Sequence, residues 1–523
     1  MPIDIPTARH LLDFCISAVC RLCASALQKG CRCRLGYKHQ RQMSALLSLG
    51  LGLVCALSGC QPRDLRGYGS MTPQHPADTL WVNNGTEPET IDPGLCSESV
   101  GAELAQNLFA GLTDTDPKTL APVGDIAERW DVDATQTHYT FYLRPSAWSD
   151  GRAVSAADFV YSWRRVLQPQ TASRNASMLF VLRDAEAYNA GWLWAKERSD
   201  PELLQQALLA RAPEATYVLH PRAHKDGTWI EIKSTTPPTQ KAAMRAALLA
   251  KPLRLGTQMV QLSAATPDDV GIQALDAHTL CVHLERPAPY FLQLLAHTSM
   301  RPVPQHAIEA LAQAALPETL WTRPEHIVSN GPYTLSRWRF RQDIELTKNP
   351  HYWGAGDVGL THIKVLEVEN AHTALNLYRT GQLDWLGANT SVPSAYLKTL
   401  RRYHDFHQDP ILSVYFYWLN TQVKPLDDIR VRQALSLAID RRALVQQVMQ
   451  GGQIPTASLV PDRLSGYRAR QTPLTDVARA KALLAQAGYP QGAHMPPITL
   501  VYNTGEDTKT KSPRRCGRCG QGI

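Results

Sequence analysis

The stretch Thr140–Val166, reading TFYLRPSAWSDGRAVSAADFVYSWRRV, constrains the fold more than any other part of the chain. Residues 140–144 alternate large and polar side chains, as a strand with one buried face does. Ser149-Asp150-Gly151 is turn chemistry, because Asp closes a local hydrogen bond and Gly tolerates positive φ. Ser155 stands three residues before Asp158 at the head of an apolar run, which predicts a capped helix start. Phe159, Val160 and Trp163 then lay an aromatic stripe along that helix. The stretch pairs no nucleophile with a base. It reads as a strand–turn–helix scaffold, which the rest of the chain must cover.

The chain has 523 residues, enough for two or three domains. Its net charge of +7 sits at the ends: residues 1–59 carry +5 and residues 511–523 carry +4, so the body between them carries −2. A nearly neutral body excludes an electrostatic case for nucleic acid. Most of the eleven cysteines also lie near the ends, and the body keeps only Cys96 and Cys281. That is no disulfide framework, and whether those two pair is left open.

Lys38 and Arg41 precede an apolar run from Ser44 to Leu57, too short for a comfortable span but suited to a signal-peptide core. It ends in Leu57-Ser58-Gly59-Cys60, which resembles a bacterial lipobox; the small residues admit a peptidase and Cys60 is the expected lipidation site. Multiple acyl chains there would give a stable anchor where a single chain would not. Residues 1–34 hold five cysteines that no leader needs, so translation is expected to begin later, near Leu35. Residues 61–78 are polar, rich in Pro and Gly, and read as a flexible tether.

Further along, Asn83, Gly85, Glu87-Pro88 and Asp92-Pro93 form NxGxEPxxxDP, followed by Leu108-Phe109-Ala110-Gly111-Leu112 and Pro122 to Trp130. After residue 284 come Pro287 to Leu295, Asn330-Gly331-Pro332-Tyr333, Lys348 to Trp353 and Tyr378 to Asp384. Val414–Asn420 has no polar gap and predicts a strand buried on both faces. Leu426 onward predicts a long helix stopped by Gly451-Gly452, with Val431, Ala434, Leu435 and Ala438 on one face and Val445, Val448 and Met449 on another. Val477–Gly488 predicts a helix and Ile498–Asn503 a strand. In this order, and with the opening stretch, these motifs resemble the extracytoplasmic oligopeptide-binding proteins of ABC importers, the bacterial extracellular solute-binding proteins of family 5. Residues 192–267 interrupt the resemblance and read as an insertion. Within it, Asp200 caps a helix with Pro201 at its first position, Trp229–Ile232 alternates as a strand, and Gln240–Ala250 is helical. The motif strand that follows is expected at Gly271–Leu284.

The resemblance implies an α/β fold of the periplasmic-binding-protein type (class II, cluster C) with three lobes. The expected division is leader and lipoprotein signal 1–59, tether 60–78, lobe I 79–108 and 292–411, lobe II 109–291 with its insertion, an incomplete lobe III 412–510, and an aberrant tail 511–523. At Thr510 the resemblance stops, and the tail reads as the product of a frame change. Its Cys516-x-x-Cys519 has no second pair for zinc. The family's charge anchors for peptide termini are expected beyond this point, so the chain as written is expected to bind peptide poorly.

GxSxG, HExxH, a Walker loop and GxGxxG are absent from the sequence. The expectation is therefore a non-enzymatic binding protein without cofactor or metal. Its partners would be an oligopeptide held as an extended strand, permease subunits of an ABC transporter, and the membrane through Cys60, with a periplasmic or cell-surface location. The resemblance places Ser97, Glu98 and Ser99 where the first lobe meets ligand, and Tyr417 and Trp418 at the crossing into the third. Dipeptide, nickel chelate or glycan ligands are alternatives on the same fold, and an adhesion or scaffold lipoprotein is an alternative of another class. His297 and His351 read as packing or surface residues, and Arg164-Arg165 and Arg401-Arg402 as solvated faces.

Overall fold

The computed structural model describes residues 67–69, 75–196, 200–222, 227–233, 238–387, 392–409, 411–461, 467–470 and 472–501. The leader, Cys60, the 511–523 tail and the end of the strand expected over 498–503 lie outside them. The strands used below are β1 (Thr79–Asn83), β2 (Ala127–Val132), β3 (His138–Leu143), β4 (Leu193–Lys196), β5 (Thr216–Arg222), β6 (Gly227–Lys233), β7 (Leu262–Ala264), β8 (Ile272–Ala274), β9 (Thr279–His283), β10 (Tyr333–Arg339), β11 (Asp343–Lys348) and β12 (His362–Leu366). The helices used below are α1 (Ser99–Leu108), α2 (Ala156–Leu167), α3 (Ala185–Ala190), α4 (Pro201–Arg211), α5 (Pro238–Ala250), α6 (Ala371–Arg379), α7 (Leu397–Leu400), α8 (Ile429–Ala438) and α9 (Val477–Gln486).

The opening stretch folds as its pattern predicts. Along β3, Tyr139, Phe141 and Leu143 turn inward while His138, Thr140 and Tyr142 turn outward. Gly151 takes φ +87°, and its N–H donates to the Trp148 carbonyl (2.9 Å), closing the turn. The Asp158 carboxylate accepts from the Ser155 amide (2.8 Å) and hydroxyl (3.0 Å). Phe159 and Trp163 are fully buried. Burial raises the carboxyl pKa of Asp158, and the Ser155 bonds oppose that rise.

Two four-stranded sheets carry the body. The first has the order β1-β12-β11-β10, with β1 parallel to β12 and the remaining pairs antiparallel. The second, β8-β9-β3-β2, is antiparallel throughout. One continuous core joins them, from Leu108, Phe109 and Trp321 to Phe141, Phe159 and Val282. The segment 271–284, expected as one strand, is a hairpin of β8 and β9. Asp276 Oδ1 accepts the His278 amide (2.7 Å), a local bond that turns the chain.

The described residues of 192–267, read from the sequence as an insertion, form a module with its own sheet, β7-β4-β6-β5, and its own core. Asp200 caps α4 through the amides of Glu202 (2.8 Å) and Leu203 (3.3 Å), as expected. Helix α5 begins two residues before its predicted start. Leu204 and Leu208 of α4 and Leu248 of α5 pack on Leu193, Ile230 and Ile232 of the sheet.

The region 411–501 departs furthest from expectation. Residues 414–420 form no strand, and Trp418 is 88% exposed. No neighbouring strand pairs with them among the described residues, so the run is not held in a sheet. Residues 498–501 are likewise not strand. The long helix predicted from Leu426 ends at Ala438. Asp440 then accepts the Ala443 amide (2.9 Å) and starts a separate short helical stretch. Val431, Ala434 and Ala438 pack on Ala480 and Leu484 of α9 with Leu435 beside them, whereas Val445, Val448 and Met449 lie outside that core.

Candidate functional site

The loop carrying Ser97, Glu98 and Ser99 is built from Asp92 outward. The Asp92 carbonyl accepts the amides of Leu95 (3.0 Å) and Cys96 (2.9 Å), and its Oδ1 accepts the Gly94 amide (2.9 Å). Glu98 caps α1, accepting the Gly101 amide (2.8 Å), and its other oxygen accepts the Glu89 amide (3.3 Å). Gly101 is required there, since a Cβ would meet the Thr90 carbonyl oxygen at 2.1 Å. Glu98 therefore shapes the loop, while Ser97 and Ser99 stand exposed on it.

Residues 173–175, which follow α2, fasten this loop to the second sheet's helices. Asn175 Nδ2 donates to the Cys96 carbonyl (2.6 Å) and to Ser299 Oγ (2.8 Å). Ser173 Oγ donates to the Gly94 carbonyl (2.5 Å), and Arg174 Nη1 donates to Ser97 Oγ (3.2 Å). Sequence reasoning missed these three residues, although the polar run Thr171 to Asn175 directly after a helix was a signal that something is held there.

Beneath the loop lies a buried ion cluster. Arg165, expected on a solvated face, is 7% exposed. Its guanidinium donates to both Asp92 oxygens (3.2 and 2.8 Å) and to Glu318 (2.6 and 2.8 Å), and Trp321 Nε1 donates to Asp92 (3.0 Å). Burial works against the Arg165 charge, but the Asp92 and Glu318 carboxylates together outweigh it and hold the pKa above the usual arginine range. The correction has a simple cause: on α2 Arg165 lies at the edge of the buried arc beside Ser162, where the Asp92 loop and Glu318 cover it, so its charge requires partners. Arg164 is half-buried and meets Asp268 at 2.9 Å. Arg401 and Arg402 are exposed, as expected.

The Asn-Gly-Pro-Tyr motif makes the crossing between sheets. Asn330 exchanges two bonds with the Ala110 backbone (3.0 and 3.2 Å), and the Gly331 amide donates to the Leu108 carbonyl (2.8 Å). A Cβ at Gly331 would lie 2.6 Å from the Leu108 carbonyl carbon, so only glycine allows this approach. Asn349 Nδ2 donates to the Gly331 carbonyl (2.9 Å), and Trp353 Nε1 donates to Asp125 (2.9 Å) under the Arg144 guanidinium. The WSDG turn joins the same crossing through Ser149 and Ser329. His297 is half-buried and its ring accepts the Ser299 amide (3.1 Å), whereas His351 is exposed at the surface.

Cys96 and Cys281 are free thiols. Burial, then the charges of Asp92 and Glu98, push the Cys96 thiol far above the ordinary range, so it stays protonated and non-nucleophilic. Tyr417, half-buried, and Trp418, exposed, lie on the largely exposed 411–419 segment, where Phe416 packs edge-on against Trp418 (5.0 Å) and Tyr415 against Tyr417 (5.8 Å). Ser97 bonds to Arg174, whereas Trp418 packs against Phe416. Among the described residues no group of three or more His, Cys, Asp or Glu is placed to hold a metal.

What this arrangement offers is an exposed serine loop on a rigid crossing between two sheets. The chain matches the sequence profile of the bacterial extracellular solute-binding proteins, family 5, over residues 121–512. It is 31% identical over 437 residues to the periplasmic oligopeptide-binding protein OppA of Escherichia coli, covering 82% of this chain and 66% of that protein. It thus spans just under two thirds of that curated relative. Among solved structures, a periplasmic oligopeptide-binding protein (OppAIV) of Borrelia burgdorferi superposes with TM-score 0.66 at 30% identity, covering 85% of this chain and 74% of that one. OppA of Burkholderia pseudomallei superposes with TM-score 0.63 at 28% identity, covering 84% and 72%.

Proposed function

The chain belongs to the bacterial extracellular solute-binding proteins of family 5, and from that premise we propose that it is the oligopeptide-capturing component of an ABC importer. The observation that carries this reading is the crossing at Leu108–Ala110. There the family motifs at 330–333, 348–353 and 149–151 converge to hold two sheets in fixed relation beside the exposed Ser97–Ser99 loop. In this reading the loop backbone and the hydroxyls of Ser97 and Ser99 meet an extended peptide main chain. Such bonds give affinity without demanding one side-chain sequence. Glu98 contributes by fixing the loop, and Arg174 by orienting Ser97. Tyr417 and Trp418 supply aromatic surface on the third lobe's side of the ligand.

Acylation at Cys60 would hold the protein at a membrane surface on the periplasmic or extracellular side, where it would hand peptide to the permease subunits. Calorimetry with a pooled tri- to pentapeptide library tests the ligand class. Weak heat that still saturates with peptide, and that is lost in Ser97→Ala/Ser99→Ala, is the expected result. No heat with peptides, together with binding of a non-peptide solute, would overturn it. Detergent-phase partitioning and intact mass of the mature protein test the anchor independently.

A further inference from the structure

We infer that residues 67–69 and 75–78, ahead of β1, are a strap fastened to the body, and that the basic face beside the fastening rests on an anionic lipid surface. The second half of this inference rests on the lipid-anchor reading above. The tether was expected to be flexible, yet its described residues are held. Asp405 Oδ2 accepts the amides of Tyr68 (2.6 Å) and Gly69 (3.1 Å) and the Tyr378 hydroxyl (2.7 Å). The Tyr68 ring meets Tyr403 edge-on at 5.3 Å. A Cβ at Gly69 would lie 3.0 Å from the Tyr378 ring, so the strap lies close against α6.

A second fastening follows. The His75 side chain is 4% exposed, stacks on Trp81 (5.2 Å between centroids) and meets Asp384 at 2.9 Å. Asp384 also accepts the Trp81 amide (2.8 Å), so it secures both the strap and the start of β1. Three donors converging on one oxygen of Asp405 fix position more firmly than a polar linker needs.

The charge around the first fastening is one-sided. Lys398, Arg401 and Arg402 are exposed on α7 and the turn that leads into Asp405, and Arg379 is exposed next to Tyr378. Arg401 also donates to the Gln450 carbonyl (2.5 Å), which leaves its charge at the surface. The acids within residues 378–409 are Asp405 and Asp384, both engaged by the strap, and the exposed Asp409. From Cys60 to Tyr68 the chain can reach at most roughly 28 Å when fully extended. A lipid on Cys60 therefore keeps this face near the bilayer. Basic residues brought within about 10 Å of anionic headgroups are drawn onto them.

Two hydrogen-exchange measurements on the full mature chain test the two halves. Without vesicles, Asp405→Asn should speed exchange at the Tyr68 and Gly69 amides about tenfold and leave β3 unchanged. Unaltered exchange at both amides would refute the strap, whatever the state of Cys60. Bound to vesicles through its lipid, the protein should show about fivefold slower exchange over residues 396–405 with one-third phosphatidylglycerol than with phosphatidylcholine alone. Lys398→Glu/Arg401→Glu/Arg402→Glu should abolish that difference while the protein stays vesicle-bound. Equal exchange on the two vesicle types would overturn the seating. A mature protein whose mass shows no acyl chain would instead overturn the anchor reading and leave the first test standing.

Discussion

The inserted module and the region 411–501 are similar in length and both rich in apolar side chains, yet they end in opposite states. The module gathers fourteen residues into a buried core, whereas the described part of 411–501 gathers five. The difference lies in where the strand partners are. Trp229–Ile232 pairs with β5 and β4, both within forty residues of it, so its apolar alternation is buried on formation. Val414–Asn420 is more apolar still, but no strand stands beside it among the described residues, and Trp418 is 88% exposed. Apolar content becomes a core only where backbone donors and acceptors are paired at the same time.

The largest expected effect tests whether the module's core holds it together. Leu208 is fully buried between α4 and the sheet. Leu208→Ala should cost about 3 kcal/mol of module stability, read by exchange of the β5 and β6 amides. An effect below about 1 kcal/mol would break the comparison, because the module would then be no better packed than the region 411–501.

The next test concerns how the module is joined to the body. Trp229 Nε1 donates to buried Asp184 (2.8 Å), and Arg222 bridges Asp184 and Glu285. Trp229→Phe should cost about 2 kcal/mol by removing a bond to a buried carboxylate. It should also split one calorimetric transition into two as the module loosens from the body. A single unshifted transition would show that the joint is packing alone.

A pH ramp separates both regions from the sheet that carries β12. Glu367, just after β12, has its pKa pushed up to about 8 by burial and then by the hydrogen bond and charge of Glu87. Glu87 keeps the lower pKa: burial opposes its charge, but the bond from Glu367, the Arg341 amide and Trp338 outweigh it. In the unfolded chain Glu367 titrates near 4.5, so between pH 4.5 and 8 the folded state holds the extra proton. Body stability should therefore fall as pH rises through that window and level off above it. Glu367→Gln should remove the fall, making the variant about 1 kcal/mol more stable than the parent at pH 8, a figure reduced for solvent screening, and equal to it at pH 4. Thermal melts across this range read it, and exchange in the module should not follow.

How much of this was legible in the sequence depended on the range of the interaction. The strand–turn–helix at 140–166, the Asp200 cap and the helix at 477–486 are set within a few residues, and they formed as expected. Arg165 could not be read, because its partners Asp92 and Glu318 lie far away in sequence and only the helix face settles its burial. The Ser97–Ser99 loop was placed by resemblance. Its fastening by Ser173, Arg174 and Asn175 is a tertiary contact: the polar run at 171–175 signals that something is held, but not that the partner lies near residues 94–97. The region 414–420 failed for the converse reason: the residues had the composition of a buried strand, but composition does not supply the neighbouring backbone.

The smallest expected effect is the sharpest on that point. If exposure and lack of pairing define the state of residues 414–420, Trp418→Ser should change global stability by less than about 0.5 kcal/mol, although tryptophan is the largest side chain available. The variant should also bind less of a hydrophobic dye, because an exposed aromatic contact with Phe416 is gone. A loss above about 2 kcal/mol would mean that Trp418 is buried in the working protein. The contrast with the module would then reduce to a difference in partners, not in the segments themselves.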